Sequence, residues 1–131
     1  RSGAWVRLRR GVYIERGLLP DDERGIHLLL LRAALLTLHG PVAASHLTSA
    51  VLQGIALLDP DLSLVHITRT DAGSARTMAG IRQHNASLPA SHLTKFDEVL
   101  ATGATRTAVD LARSATFEAA LVAVESALYQ G

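Results

Sequence analysis

The sequence has no cysteine, a single lysine and no apolar run long enough to cross a bilayer, and each absence removes a class of function. Without cysteine there is no disulfide framework and no thiolate metal site, which fits a reducing compartment, with the cytoplasm as the default. The main apolar stretch, residues 26–38, is broken by His27, Arg32 and Thr37 and falls short of the roughly 20 residues that a membrane helix needs. No signal peptide precedes it, and no membrane partner is expected. Lys95 is the lone lysine and Leu93 stands two residues before it. The Glu-x-Lys element with which metal-dependent nucleases hold Mg²⁺ and activate water is therefore missing, and the chain is read as non-enzymatic, with no cofactor.

What is there begins with arginine. The net charge of +1 over 131 residues hides an uneven distribution, because Arg1, Arg7, Arg9, Arg10 and Arg16 crowd the start against Glu15 alone. In WVRLRRGVYIER, Trp5, Arg7 and Arg9 share one parity and Val6 and Leu8 the other, so a strand here turns its cations outward and its aliphatics inward. Gly11 supplies the positive φ of a tight turn, and Val12 to Ile14 return as a second strand. An arginine-lined hairpin suits phosphate contact. Arg7, Arg9 and Arg10 would neutralise about three phosphates and contribute up to about 2.7 to the salt slope of DNA binding. The alternative is a solvated edge whose charges block strand addition. Trp5 is read as a packing residue of a core or domain interface. The chain opens on Arg1, almost directly in a strand, and is taken as a fragment whose upstream part is missing.

The remainder is the size of one ordinary domain, nearly half apolar and free of low-complexity runs, so it is long enough to bury a core. Residues 16–20 read as a connector. Asp21, Asp22 and Glu23 offer a cap and first-turn charge for a helix running to about His39, whose apolar positions go nearly all round and imply burial on every side. Ser45 caps a shorter helix ending at Gly54. Leu64 to Arg69 and Met78 to His84 read as neighbouring strands, and Phe96 to Thr102 as another. Helices follow from Ala104 to about Arg113 and from Thr116, the last carrying Phe117, Ala120, Leu121, Val124 and Leu128 on one face. Alternation is too irregular for a doubly wound sheet, so the class is α+β: a hairpin and connector in residues 1–19, then a helical domain with a small β-sheet in residues 20–131.

Six histidines raise the question of a metal. His27, His39, His46, His66, His84 and His92 lack the spacing of a His-Glu-x-x-His helix or a Cys/His knuckle, so hydrogen-bonded structural imidazoles are expected and no metal site. Ser45, His46 and Asp110 supply the residue types of a hydrolase triad, but no Gly-x-Ser-x-Gly elbow surrounds the serine. Arg106 and Asp110, four apart on a predicted helix, form an ion pair on one face. Asn85-Ala86-Ser87 matches a glycosylation sequon only by loop composition.

Five segments in order carry a resemblance: WVRLRRGVY, SHLTSAVLQGI, VHITR, IRQHNASL and TRTAVDLAR. Together they span nearly the whole chain, and they resemble the AbiEi-type antitoxin family of type IV toxin–antitoxin systems and its actinobacterial relatives. That resemblance implies a winged helix whose wing is the hairpin of Arg7, Arg9 and Arg10, with the recognition helix upstream. It makes Ser45, His46, His66, Arg69, His84, Arg106 and Asp110 the functional or fold-forming polar residues of the following α+β domain. It further implies a bacterial transcriptional regulator that binds double-stranded operator DNA and is paired functionally with a nucleotidyltransferase-like toxin. Gly103-Ala104 stands where the family commonly has Ser-Pro, which loosens the expected helix start. Two rival readings are the non-catalytic front of a very-short-patch-repair-like endonuclease protein continuing beyond Gly131, and a protein-interaction module without a nucleic-acid role.

Overall fold

The computed structural model describes residues 4–71, 73–114, 125, 126, 128 and 129. Strands β1 (Trp5–Arg9) and β2 (Val12–Glu15) pair antiparallel as a separate two-stranded sheet. Gly11 sits between them at φ 80, a left-handed conformation that costs glycine nothing. A 3₁₀ turn over Arg16–Leu18 leads to helix α1 (Glu23–Thr37), which starts where the Asp22 carboxylate accepts the Gly25 N–H at 3.1 Å.

The rest of the chain adds β3 (Val42–Ala44), α2 (His46–Gln53), β4 (Val65–Arg69), β5 (Arg76–Met78), β6 (Ile81–Asn85), β7 (Leu93–Phe96), β8 (Val99–Thr102) and α3 (Ala104–Ser114). Six of these strands form one mixed sheet in the order β5-β6-β4-β3-β8-β7. The class is α+β. β4 pairs in parallel with β6, His66 opposite Arg82 and Thr68 opposite His84, so these four side chains share one face of the sheet. Val65, Ile67 and Ile81 lie on the other face. There they meet Ala44, Val99 and Ala101 and are covered by Leu31 and Ala34 of α1, forming the main core. Each buried valine, leucine or isoleucine of this core stabilises the fold by about 1.5–3 kcal/mol. A smaller cluster of Ala50, Ile55 and Leu111 joins α2 to α3.

Several expectations are corrected. Helix α1 is not enclosed: Leu36 is 75% exposed and Ile26 39%, even though the helix meets α2 and the hairpin as well as the sheet. The single strand read over Met78 to His84 is a hairpin, β5 turning into β6 at Ala79 and Gly80, both left-handed. Likewise Phe96 to Thr102 holds a turn at Asp97 and Glu98, both at positive φ, between β7 and β8. Strand β3, only three residues long, was not foreseen. Ser45 occupies the position before α2 but its side chain makes no capping bond; its hydroxyl is engaged elsewhere, as described below. The helix expected from Thr116 falls largely outside the described residues, and Leu128, assigned to its apolar face, is 77% exposed.

Gly54 ends α2 at φ 74, as the sequence suggested, with its N–H on Val51 O and the Ile55 N–H on Ala50 O. Nothing stands within 4 Å of a Cβ built there, so only the backbone conformation opposes a side chain. Gly54→Ala is expected to cost about 1–2 kcal/mol in urea unfolding, with an unchanged m-value.

Candidate functional site

Two polar surfaces gather the residues singled out in the sequence. The first is the hairpin. Trp5 faces Glu15 across the ladder and Arg7 faces Tyr13, which puts all four side chains on one face, and all four are exposed. Trp5 is 51% exposed and Tyr13 57%, so Trp5 is not the packed residue that was expected. Arg10 is exposed at the tip of the hairpin.

Arg9 departs from this set. The register slips between Arg7 and Arg9, so that two steps along β1 match one along β2 and Arg9 comes to lie opposite Val12. A bulge of this kind reverses the alternation of side chains. Arg9 therefore turns inward, donates through Nη1 to the Ala79 carbonyl at 3.3 Å, and has its Nε fully buried. The parity reading that grouped it with Trp5 and Arg7 is thus corrected, and Arg9 ties the hairpin to the β5–β6 turn.

The second surface is a stack of three imidazoles. His46, the first residue of α2, holds a φ of 51 and lays its ring on that of His84, with centroids 3.7 Å apart and planes 11° from parallel. His66 Nδ1 lies 2.9 Å from His84 Nε2. Behind the stack runs a buried hydroxyl relay: Thr68 Oγ1 donates to Ser45 Oγ at 2.7 Å, leaving the serine proton for His46 Nδ1 at 3.0 Å. Thr48 Oγ1 accepts the His66 backbone N–H at 2.7 Å and lies 2.9 Å from His27 Nε2. His27 Nδ1 meets the Leu62 carbonyl, which can only accept, so this buried ring carries its proton on Nδ1 and accepts from Thr48.

The electrostatics of the stack follow from its burial. Desolvation is the largest cause in each case, and it lowers His66 to about 4 and His84 to about 3, with the neighbouring imidazoles and Arg82 pushing the same way. His46 is lowered by burial as well; the Asp110 carboxylate opposes that shift, and Arg106 and Arg82 reinforce it. The rings are accordingly neutral near pH 7.

Chemically, the cluster does not assemble the machinery its residue types suggest. Ser45 is fully buried and already accepts from Thr68, so no substrate carbonyl reaches its oxygen. Asp110 binds Arg106 Nε at 3.0 Å. Among the described residues no group of three His, Asp or Glu is arranged to hold a metal ion. Also among the described residues, no helix is long and apolar enough to cross a membrane.

Two predicted residues lie apart from the stack. Arg69, with the parity of Ile67, points to the α1 side of the sheet, where it bonds the His39 carbonyl and pairs with Asp71 at 3.4 Å. Arg106 and Asp110 form the expected i,i+4 pair on α3, and Arg106 also reaches the Ser87 carbonyl at 3.2 Å and His92 Nδ1 at 3.1 Å. Sequence reasoning passed over Tyr13, which the hairpin register places beside Arg7, and Arg82, whose place opposite His66 depends on parallel pairing that no local signal reveals. Compared with known protein families the chain matches no family model, and compared with curated proteins it has no significant match.

Proposed function

We propose that this chain belongs to a cytoplasmic DNA-binding regulator of the AbiEi type, in which β1 and β2 act as a wing laid along the phosphate backbone. The observation that carries the reading is the exposed hairpin face, where Arg7 stands beside Trp5 and Tyr13, with Arg10 at the tip. Guanidinium groups neutralise phosphates, while flat aromatic rings give sugar and base edges a surface to pack on. Such contacts hold a protein on the duplex without reading its sequence, which is the part a wing plays. In this reading the intact protein represses its own operon and counters a nucleotidyltransferase-like toxin.

Because Arg9 is turned inward, the hairpin supplies two phosphate contacts rather than three, so its share of the salt slope falls to about 1.8. Fluorescence anisotropy of a labelled duplex, titrated with the chain between about 50 and 200 mM salt, tests this. Arg7→Ala and Arg10→Ala are each expected to reduce the slope by about 0.9 and to weaken binding about equally across unrelated duplexes. An absence of binding at low salt, or slopes indifferent to both substitutions, would remove the proposal.

A further inference from the structure

Between α3 and the segment that leads into β7 lies an open cavity of about 450 Å³, within the size range of small-molecule sites. Thr105, Val109 and Arg113 stand four residues apart and form one wall along the helix, while Ser91 and His92 form the other. All five are exposed. The accessible wall is mainly apolar, and no aspartate or glutamate lines it. Arg106 also borders the cavity, where its Nη1 donates to the Ser87 carbonyl and to His92 Nδ1 at 3.1 Å. A guanidinium can only donate, so the His92 proton sits on Nε2 and that nitrogen is a donor. Arg113 takes part in neither of the two ion pairs found among the described residues.

We infer that this cavity binds a small phosphate monoester with an apolar body, the phosphate accepting from Arg113, His92 and the Ser91 and Thr105 hydroxyls and the body resting on Ala104 and Val109. Charge is the first reason. Arg106 is balanced by Asp110, but Arg113 has no carboxylate in the lining to balance it, so the wall keeps a net positive charge for an anion. Donor number is the second. A phosphate group spreads three acceptor oxygens in space, which suits two hydroxyls, an imidazole N–H and a guanidinium set around a hollow; a carboxylate has two oxygens in one plane and would leave donors unmet. Long side chains on a helix lean toward its N-terminus, so the Arg113 guanidinium reaches back across Val109 toward Thr105. The apolar wall sets the remainder of the ligand, because inorganic phosphate leaves Ala104 and Val109 in water whereas an aryl or alkyl ester covers them.

The inference stands apart from the DNA reading, because small ligands test it directly. The ¹⁵N-labelled chain is titrated with phenyl phosphate, inorganic phosphate, benzoate and benzyl alcohol. Saturable amide shifts at Ser91, His92, Gly103, Thr105 and Val109 are expected for phenyl phosphate, with at least about tenfold weaker binding of inorganic phosphate and benzoate and no saturable shift with the alcohol. Arg113→Gln, at an exposed position, is expected to weaken phenyl phosphate by about tenfold. Val109→Glu sets a carboxylate one turn before Arg113, where it pairs with the guanidinium and repels the phosphate, and is expected to abolish binding by a chain whose spectrum remains dispersed. A short DNA duplex added to the phenyl phosphate complex separates a small ester from backbone phosphates as the source of the anion, and is expected to leave the ester in place. Equal affinity for phenyl phosphate and benzoate or inorganic phosphate, undiminished binding by either folded variant, displacement of the ester by the duplex, or no saturable shift with phenyl phosphate would overturn the assignment.

Discussion

Lowering the pH from 6.5 toward 4 will destabilise the chain by about 2–3 kcal/mol through the histidine stack alone, most of it before the carboxylates titrate. In the unfolded chain an imidazole takes its proton near 6.5, whereas in the fold His66 does so at about 4 and His84 at about 3, chiefly because burial penalises the charged ring. Above 6.5 the rings are neutral in both states and pH has no leverage. Below it the unfolded chain gains protons that the fold refuses, so stability falls until the folded values are reached. Each unit of that gap is worth about 1.4 kcal/mol for a fully sequestered group, and the partial solvent contact of these rings screens the total to the smaller figure given. The groups that bear on the stack are Arg82 on β6, Arg106 and Asp110 on α3, Asp61 before β4, and His27 on α1. Of these only the two carboxylates favour protonated rings. Urea midpoints at pH 7, 6, 5 and 4 measure the slope. A His66→Asn/His84→Asn double variant is expected to flatten it between 6.5 and about 5, where Asp and Glu with ordinary values near 4 scarcely contribute. An unchanged slope in that variant would mean that the acid sensitivity has another source.

The same stack shows how far local sequence signals reach. The turn residues Gly11 and Gly54, the cap at Asp22, the strand at Val65 to Arg69 and the Arg106–Asp110 spacing were legible because each depends on neighbours within a few positions. The hairpins at Ala79-Gly80 and Asp97-Glu98 were not. Two-residue turns with both central residues left-handed usually carry Asn-Gly or Asp-Gly, and here alanine and glutamate occupy positions that side chains seldom favour. Strand β3 is too short to show alternation, and its place depends on β4 on one side and β8 on the other. Arg9 was misjudged because strict parity cannot foresee a bulge. The gathering of His46, His66 and His84 follows from the parallel pairing of β4 with β6 and from the sharp entry into α2, both tertiary facts. Ser45 illustrates the competition: its position before a helix suggested a cap, while Thr68 and His46 claimed its hydroxyl.

Arg106→Ala is expected to cost about 3–5 kcal/mol, the largest effect of any single substitution considered, because it strips the guanidinium from a carboxylate that the fold has buried. The Asp110 side chain is 5% exposed and that of Arg106 15%, with Nε donating to Oδ1 at 3.0 Å and to Oδ2 at 3.2 Å. An exposed i,i+4 pair would contribute only a few tenths of a kcal/mol, so burial is what sets the scale. The guanidinium also links α3 to the segment before β7 through Ser87 and His92. Lysine keeps the charge but not the planar fork that serves three partners, so Arg106→Lys should recover less than half of the loss. Asp110→Asn should be milder, at about 1–2 kcal/mol, since the neutral amide is easier to bury and Arg106 keeps its two other contacts. The double variant Arg106→Ala/Asp110→Ala separates pair from parts: urea unfolding of the full cycle should give a coupling of about 1–3 kcal/mol. A cost below about 1 kcal/mol for Arg106→Ala, or a coupling near zero, would mean that water reaches Asp110 and that the pair behaves as a surface bridge.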